Sequence, residues 1–203
     1  MKKNAHTTII RTILLLDLVF VVIIGIGVAT VLIVRNATKG VLDKSPQYTS
    51  QQLYENAVQQ VDKGSYSTAE NYLEQALLKE DNATYRSELA VVKYRLKEYD
   101  QAIAEYEKLV NKKQDPAFAW NGIGNAYRDW AGTDAAHKSQ YLQQAEYAYR
   151  QAIQADPKYT AAYSNLALLL QNKGDTAGAK TVLNQGISQT SQPELTTLLH
   201  QLH

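Results

Sequence analysis

Two hydrophobic patterns divide the chain. Residues 12–34 are apolar apart from Asp17, Thr12 and Thr30. Bilayer hydrocarbon is about 30 Å thick, and about twenty apolar residues in a helix cross it. The run predicts a transmembrane helix over 12–34, behind a short basic tail (1–11) and ahead of a polar linker (35–48). From residue 49 the apolar positions follow the i, i+3, i+4, i+7 spacing of an amphipathic helix, as in Trp120, Ile123, Gly124 and Tyr127. This spacing predicts helix pairs at 49–63 with 66–79, 83–97 with 99–112, 116–131 with 134–155, and 159–173 with 176–189. A last helix over 193–203 carries Leu195, Leu198, Leu199 and Leu202 on one side and suits a cap on the final pair. Asp115-Pro116 and Asp156-Pro157 read as helix starts, with a polar cap before a proline whose missing N–H costs nothing there.

Small residues suited to helix contacts recur as Ala57, Ala90, Gly124 and Ala167, at steps of 33, 34 and 43 residues. A second series, Ala69, Ala102, Ala145 and Ala179, steps by 33, 43 and 34. Both break by nine residues, so the extra residues lie between Gly124 and Ala145. Tyr141, Ala145, Tyr149 and Ala152 continue one stripe, which predicts that the second helix of repeat three absorbs the insertion over 134–155, capped by Thr133 or Asp134. The hairpin then projects by roughly two turns beyond its neighbours. Trp130 near its tip has two readings: an anchor for a partner, or packing on Tyr141.

Trp120, Ile123, Gly124, Tyr127, Ala145, Tyr149, Ala152 and Pro157 resemble the tetratricopeptide repeat, W-x2-L-G-x2-Y…A-x3-F…P with a period near 34 residues. Repeat four carries it through Tyr163, Leu166, Ala167, Leu170, Gly174, Ala179 and Leu183, with Gly186 in place of a later alanine. Repeat two keeps Leu89, Ala90, Tyr99, Ala102 and Tyr106. Repeat one keeps Leu53, Ala57, Gly64, Tyr66, Ala69, Leu73 and Ala76, but Asn56 and Gln60 stand where the family has apolar residues. The resemblance implies an α-solenoid of four helix-turn-helix repeats, about 50–82, 83–116, 117–158 and 160–192, within 49–192. The expected fold is therefore all-α: one N-terminal transmembrane helix, the solenoid, and a capping helix.

The net charge of +1 over 203 residues offers no electrostatic case for nucleic acid, and the absence of cysteine excludes disulfides and thiolate chemistry. Residues 1–44 carry +4 and the remainder −3. A cleaved signal peptide would have a shorter apolar region than 12–34, and the run continues past the only small-x-small site, Val28-Ala29-Thr30. The chain is thus expected to be single-pass in the cytoplasmic membrane. Lys2, Lys3 and Arg11 precede the span and Arg35, Lys39 and Lys44 follow it, and the tail without acids favours a cytoplasmic N-terminus and extracytoplasmic repeats. Asp17 reads as a headgroup-level residue or as a polar contact to a partner helix, and Gly25 with Ala29 offers a weak face for self-association.

In this family the first helices line a concave groove that holds peptides. A stripe on those helices supplies candidate groove residues: Tyr54, Val58 and Val61; Ser87, Val91 and Tyr94; Asn121, Asn125 and Arg128; Ser164, Leu168 and Gln171. Asn121, Asn125 and Asn165 can donate and accept at once, which suits a peptide backbone. The alternative is that these are ordinary solvated positions. The chaperone-type carboxylate clamp of the family is incomplete, since Asn121 stands at a lysine position. No catalytic, cofactor or metal constellation emerges: Gly122-Ile-Gly124 lacks a third glycine, His137, His200 and His203 have no partners fixed by spacing, and Asp100, Glu105 and Glu107 read as a solvated helix face. Asn36-Ala-Thr38 and Asn82-Ala-Thr84 fit a glycosylation sequon, but the first is too near the expected membrane span and the second matters only in a eukaryotic secretory route. The expected function is a non-enzymatic membrane scaffold that binds a protein or peptide, in envelope assembly, translocation or maturation. A cytoplasm-facing adaptor and a subunit of a membrane enzyme complex are the alternatives.

Overall fold

The computed structural model describes residues 47–202. The predicted tail, the membrane helix over 12–34, nearly all of the linker, and His203 lie outside the described residues. Among the described residues no helix is long and apolar enough to cross a membrane.

Residues 50–201 form helices α1 (Ser50–Asp62), α2 (Tyr66–Lys79), α3 (Ala83–Arg95), α4 (Tyr99–Asn111), α5 (Pro116–Thr133), α6 (Lys138–Ala155), α7 (Thr160–Asn172), α8 (Thr176–Thr190) and α9 (Pro193–Gln201). The helix starts are chemically specified. Thr49 and Gln52 close a reciprocal capping box on α1, and Asn82 caps α3 by accepting from the Thr84 N–H at 2.8 Å. Asp175 does the same for α8 through the Gly178 N–H at 2.8 Å. Asp115-Pro116 opens α5, as the sequence predicts. Asp156-Pro157 does not open α7, which begins at Thr160. Asp156 instead accepts from the Lys158 N–H at 2.9 Å and builds the turn, while the Pro157 carbonyl accepts from the Tyr163 hydroxyl at 3.0 Å.

Consecutive helices pack as antiparallel pairs, and each pair packs on the next. The core is built in successive clusters along the stack: Leu53; Ala57, Leu73 and Leu89; Ala90, Tyr106 and Ile123; and Tyr149, Tyr163, Leu166 and Leu183. Tyrosines fill the space where small residues make room for them. A Cβ at Gly122 would lie 2.4 Å from Tyr106 Cζ, and one at Gly124 would lie 2.5 Å from Tyr149 Cε1. Gly186, where the family has alanine, is explained likewise: Leu195 of α9 and Tyr163 occupy the space a methyl would need. Leu195 and Leu202 are buried on repeat four, so α9 covers it. At the other end Asn56 and Gln60 correspond in register to Leu89 and Lys93, which face the preceding pair. No described pair precedes repeat one, and its edge is polar.

Two expectations need correction. The nine extra residues are shared by both helices of repeat three: α5 runs to Thr133 and α6 starts at Lys138, not 134. Both are 18 residues long, against 13 in α1 and α4. Each is longer by about 7 Å, roughly a turn and a half. The reason is aromatic: Trp130 on α5 stacks on Tyr141 on α6 at 4.5 Å and 20°, which holds the two helices together out to that level. Glu105 is the second. It is buried, not solvated, because α3 presents Arg86 to it at 2.6 Å and Lys108 adds a bond at 2.7 Å. Asp100 and Glu107 are exposed.

Candidate functional site

The first helices of successive repeats touch one another, α3 with α5 and α5 with α7, whereas successive second helices make no comparable contact. Shorter spacing on one side bends a stack toward that side, which makes the first-helix face the inner one. The predicted stripe lies along it. Tyr54, Val58, Val61, Ser87, Val91, Tyr94, Asn125, Arg128, Ser164, Asn165 and Gln171 are half-buried, Asn121 is buried and Leu168 is exposed.

Side chains tie these helices together across the face. Between α1 and α3, Tyr54 stacks on Tyr85 at 4.9 Å and 26°, and the Tyr85 hydroxyl donates to Gln51 Oε1 at 3.1 Å. Between α3 and α5, the Tyr94 hydroxyl donates to Asp129 Oδ2, whose other oxygen accepts from Arg128 Nε at 2.9 Å. Burial and the Asp129 carboxylate push the Tyr94 phenol up to about 12, so it stays a donor. Between α5 and α7, Asn165 Nδ2 donates to Asn121 Oδ1 at 2.9 Å. The Tyr149 hydroxyl, from the second helix of repeat three, donates to Asn125 Oδ1 at 2.8 Å.

These bonds use one half of each amide. The Asn125 Nδ2 and the Asn165 Oδ1 take no partner among the described residues, and Arg128 bonds Asp129 through its Nε. The face therefore keeps donors and an acceptor beside apolar Val58, Val91 and Leu168. Sequence reasoning passed over Asp129, Tyr85 and Gln51, which lock the face. Their signal is register across repeats: Asp129 falls one turn beyond Asn125 but bonds to the neighbouring first helix.

Trp130 sits in an aromatic cluster with Tyr99, Tyr127 and Tyr141, at centroid distances of 6.2, 6.4 and 4.5 Å. Packing is what the structure shows for it. Beyond it the tip is polar: Asp134 accepts from the Ala136 and His137 N–H groups and lies 2.8 Å from His137 Nδ1. Clefts of about 530 and 510 Å³ open near Ile153 and Val182 and near Leu142 and Lys173, away from the stripe. Among the described residues no group of three or more His, Asp or Glu side chains is placed to hold a metal ion.

Comparison with known proteins agrees with this architecture. Tetratricopeptide repeat profiles match residues 54–117 and 136–202. A TPR repeat-containing protein of Pseudomonas aeruginosa is 32% identical over 103 residues, which is 47% of this chain and 90% of that protein. A thermophilic TPR protein of Thermus thermophilus superposes with a TM-score of 0.61 at 22% identity, over 76% of this chain and 81% of the other. A tetratricopeptide repeat protein of Parabacteroides merdae superposes with a TM-score of 0.60 at 17% identity, over 74% and 57%. At those identities the two structures speak for the fold alone, while the helix pairs, their period and the Pseudomonas relative together place the chain in the tetratricopeptide repeat family.

Proposed function

We propose that the chain is a non-catalytic scaffold that holds an extended protein segment against its first-helix face, tethered to the cytoplasmic membrane by residues 12–34 with the repeats outside the cytoplasm. What supports the binding reading is the pre-organised face: the Tyr94–Asp129, Tyr149–Asn125 and Asn165–Asn121 bonds fix those side chains and leave polar atoms available next to apolar ones. A rigid surface loses little side-chain entropy on binding. What supports the tether is the length and apolarity of 12–34, and the orientation follows from the tail free of acids. Processes at the membrane that need a held client, such as envelope assembly, translocation or maturation, fit such a scaffold.

A photo-crosslinking residue at Leu168 tests the face. Leu168 is 41% exposed on the first-helix side, whereas Leu78, on α2, is 87% exposed and serves as a stringent control. Adducts in intact cells are expected at Leu168 and not at Leu78. Equal adducts at both, or none at Leu168, would defeat the proposal. A phosphatase fused after His203 should be active only if the repeats lie outside the cytoplasm, and deletion of residues 1–34 should release the protein from membranes.

A further inference from the structure

A stack that bends toward its first helices opens its junctions on the second-helix side. At the junction of repeats one and two that wedge is filled by charge. Arg86 pairs with Glu105 and with Asp81 at 2.6 Å each, Lys108 reaches Glu105 at 2.7 Å, and Lys112 bonds Asp81. In register, Arg86, Glu105, Asp81, Lys108 and Lys112 correspond in repeat four to Tyr163, Val182, Lys158, Gln185 and Gln189. The Tyr163 ring is turned inward, with its hydroxyl donating to the Pro157 carbonyl at 3.0 Å, and Val182 is too short to cross. Gln185 and Gln189 are exposed, and their amides take no partner among the described residues. The wedge between α6 and α8 therefore stays open as the cleft of about 530 Å³, floored by Ile153, Leu166 and Val182.

The cleft does not end there. It shares Arg150 with a shallower one of about 310 Å³ beside Glu146 and Tyr147, which in turn shares Gln143 with the cleft at Leu142 and Lys173. The three run as one groove along the whole of α6, about 27 Å for its 18 residues. Its charged lining is three cations, Lys138, Arg150 and Lys173, against the single carboxylate of Glu146. That carboxylate is already shared, by Arg150 at 2.9 Å and Lys173 at 2.5 Å. The nearest aspartates, Asp134, Asp156 and Asp175, each accept from a backbone N–H. Tyr147, 54% exposed, stands edge-on against Trp120 at 5.9 Å, a fixed aromatic of the kind that anchors interfaces. An apolar hole, an anchored tyrosine and surplus positive charge on one strip match an acidic chain with a bulky apolar residue.

We propose that the outer groove between α6 and α8 is a second partner-binding site, distinct from the first-helix face, and that it takes an acidic segment of another protein. An apolar side chain of that segment enters the cleft over Ile153 and Val182, and a neighbouring carboxylate meets Arg150. Because the inner face and this groove lie on opposite sides of the helix pairs, the scaffold holds two segments at once and joins one partner to another.

A phage library of random dodecapeptides, panned on the full chain in a non-ionic detergent, tests it. The clones are sorted on two variants: Gln185→Trp, which plugs the cleft from an exposed position, and Leu168→Asp, which puts a charge on the inner face. One class should be lost on Gln185→Trp and kept on Leu168→Asp, and should share a bulky apolar residue flanked by aspartate or glutamate. Its synthetic consensus should bind Arg150→Glu about tenfold more weakly, about 1.4 kcal/mol, and recover when the flanking acid is changed to lysine. Circular dichroism melting should show both sorting variants folded as the wild type is. If no clone is lost on Gln185→Trp, or if the class lacks acids or ignores Arg150→Glu, the proposal is overturned. Loss of these peptides to a soluble short-chain phosphatidylglycerol, or a dimer of the free chain that Gln185→Trp dissolves, would give the groove to lipid or to a second copy and overturn it equally. Absence of a class that depends on Leu168 would sink the inner-face reading alone.

Discussion

The contact between Gly122 and Tyr106 gives the most exacting test of how the repeats fit together. A Cβ at Gly122 would lie 2.4 Å from Tyr106 Cζ and 2.6 Å from both Cε atoms. Carbon atoms rest at about 3.5–4.0 Å, so an alanine methyl overlaps the ring by roughly 1 Å. Tyr106 is buried and packs edge-on against Phe118 at 5.8 Å, so the ring has nowhere open to swing. Overpacking of this kind costs about 1–3 kcal/mol. Alanine in a helix interior gains about 1 kcal/mol over glycine, which leaves Gly122→Ala destabilising by about 1 kcal/mol. Tyr106→Leu removes the ring, as the equivalent Leu73 of repeat one does naturally. In that background the overlap is gone and only the helix gain remains, so Gly122→Ala should stabilise by up to about 1 kcal/mol. The expected coupling is about 2 kcal/mol, readable from urea unfolding of the four proteins by circular dichroism in non-ionic detergent. If Gly122→Ala has the same sign in both backgrounds, the ring does not dictate the glycine and the packing account is wrong.

Lys97 adopts φ 65° where the equivalent residues of repeats one and four are Gly64 and Gly174, at φ 71° and 84°. Lys97→Gly should therefore raise stability by about 1 kcal/mol, seen as a higher urea midpoint. Asn165→Ala leaves the buried Asn121 carbonyl without its donor and should cost about 1–2 kcal/mol in the same assay. The Glu88 pKa is raised in the fold by burial and Asp62, so its ionisation weakens the folded state as pH rises through that value. Glu88→Gln should stabilise at pH 7, and the gain should fade as the pH approaches 4; a gain that grows on acidification would reverse the sign of this reasoning.

The helix pairs were legible because burying one face of each helix imposes a 3.6-residue period, and Ala57, Ala90, Gly124 and Ala167 mark where the backbones meet. The end of α5 was not, because Ala131 to His137 contains no large apolar residue to carry a period. The decision there is made by Trp130 against Tyr141, a contact between helices that spacing alone does not specify. Charges were hardest to read. Glu105 and Glu88 look like any solvated glutamate, and only their surroundings separate them: Arg86 pairs with one, while burial and the Asp62 carboxylate raise the pKa of the other and no cation among the described residues bonds to it. The stripe itself followed from register, but the pairing of its asparagines required the distance between first helices.

The polar edge at Asn56 and Gln60 and the leucine-sealed end at α9 make the two ends of this stack unlike its middle. A pair of helices duplicated between repeats two and three would meet the apolar surfaces it needs on both sides. The same pair grafted ahead of Thr49 would press its hydrophobic side onto amides. Growth of the array is thus permitted from within and refused at its outer margin, so the number of units is written into those few terminal side chains.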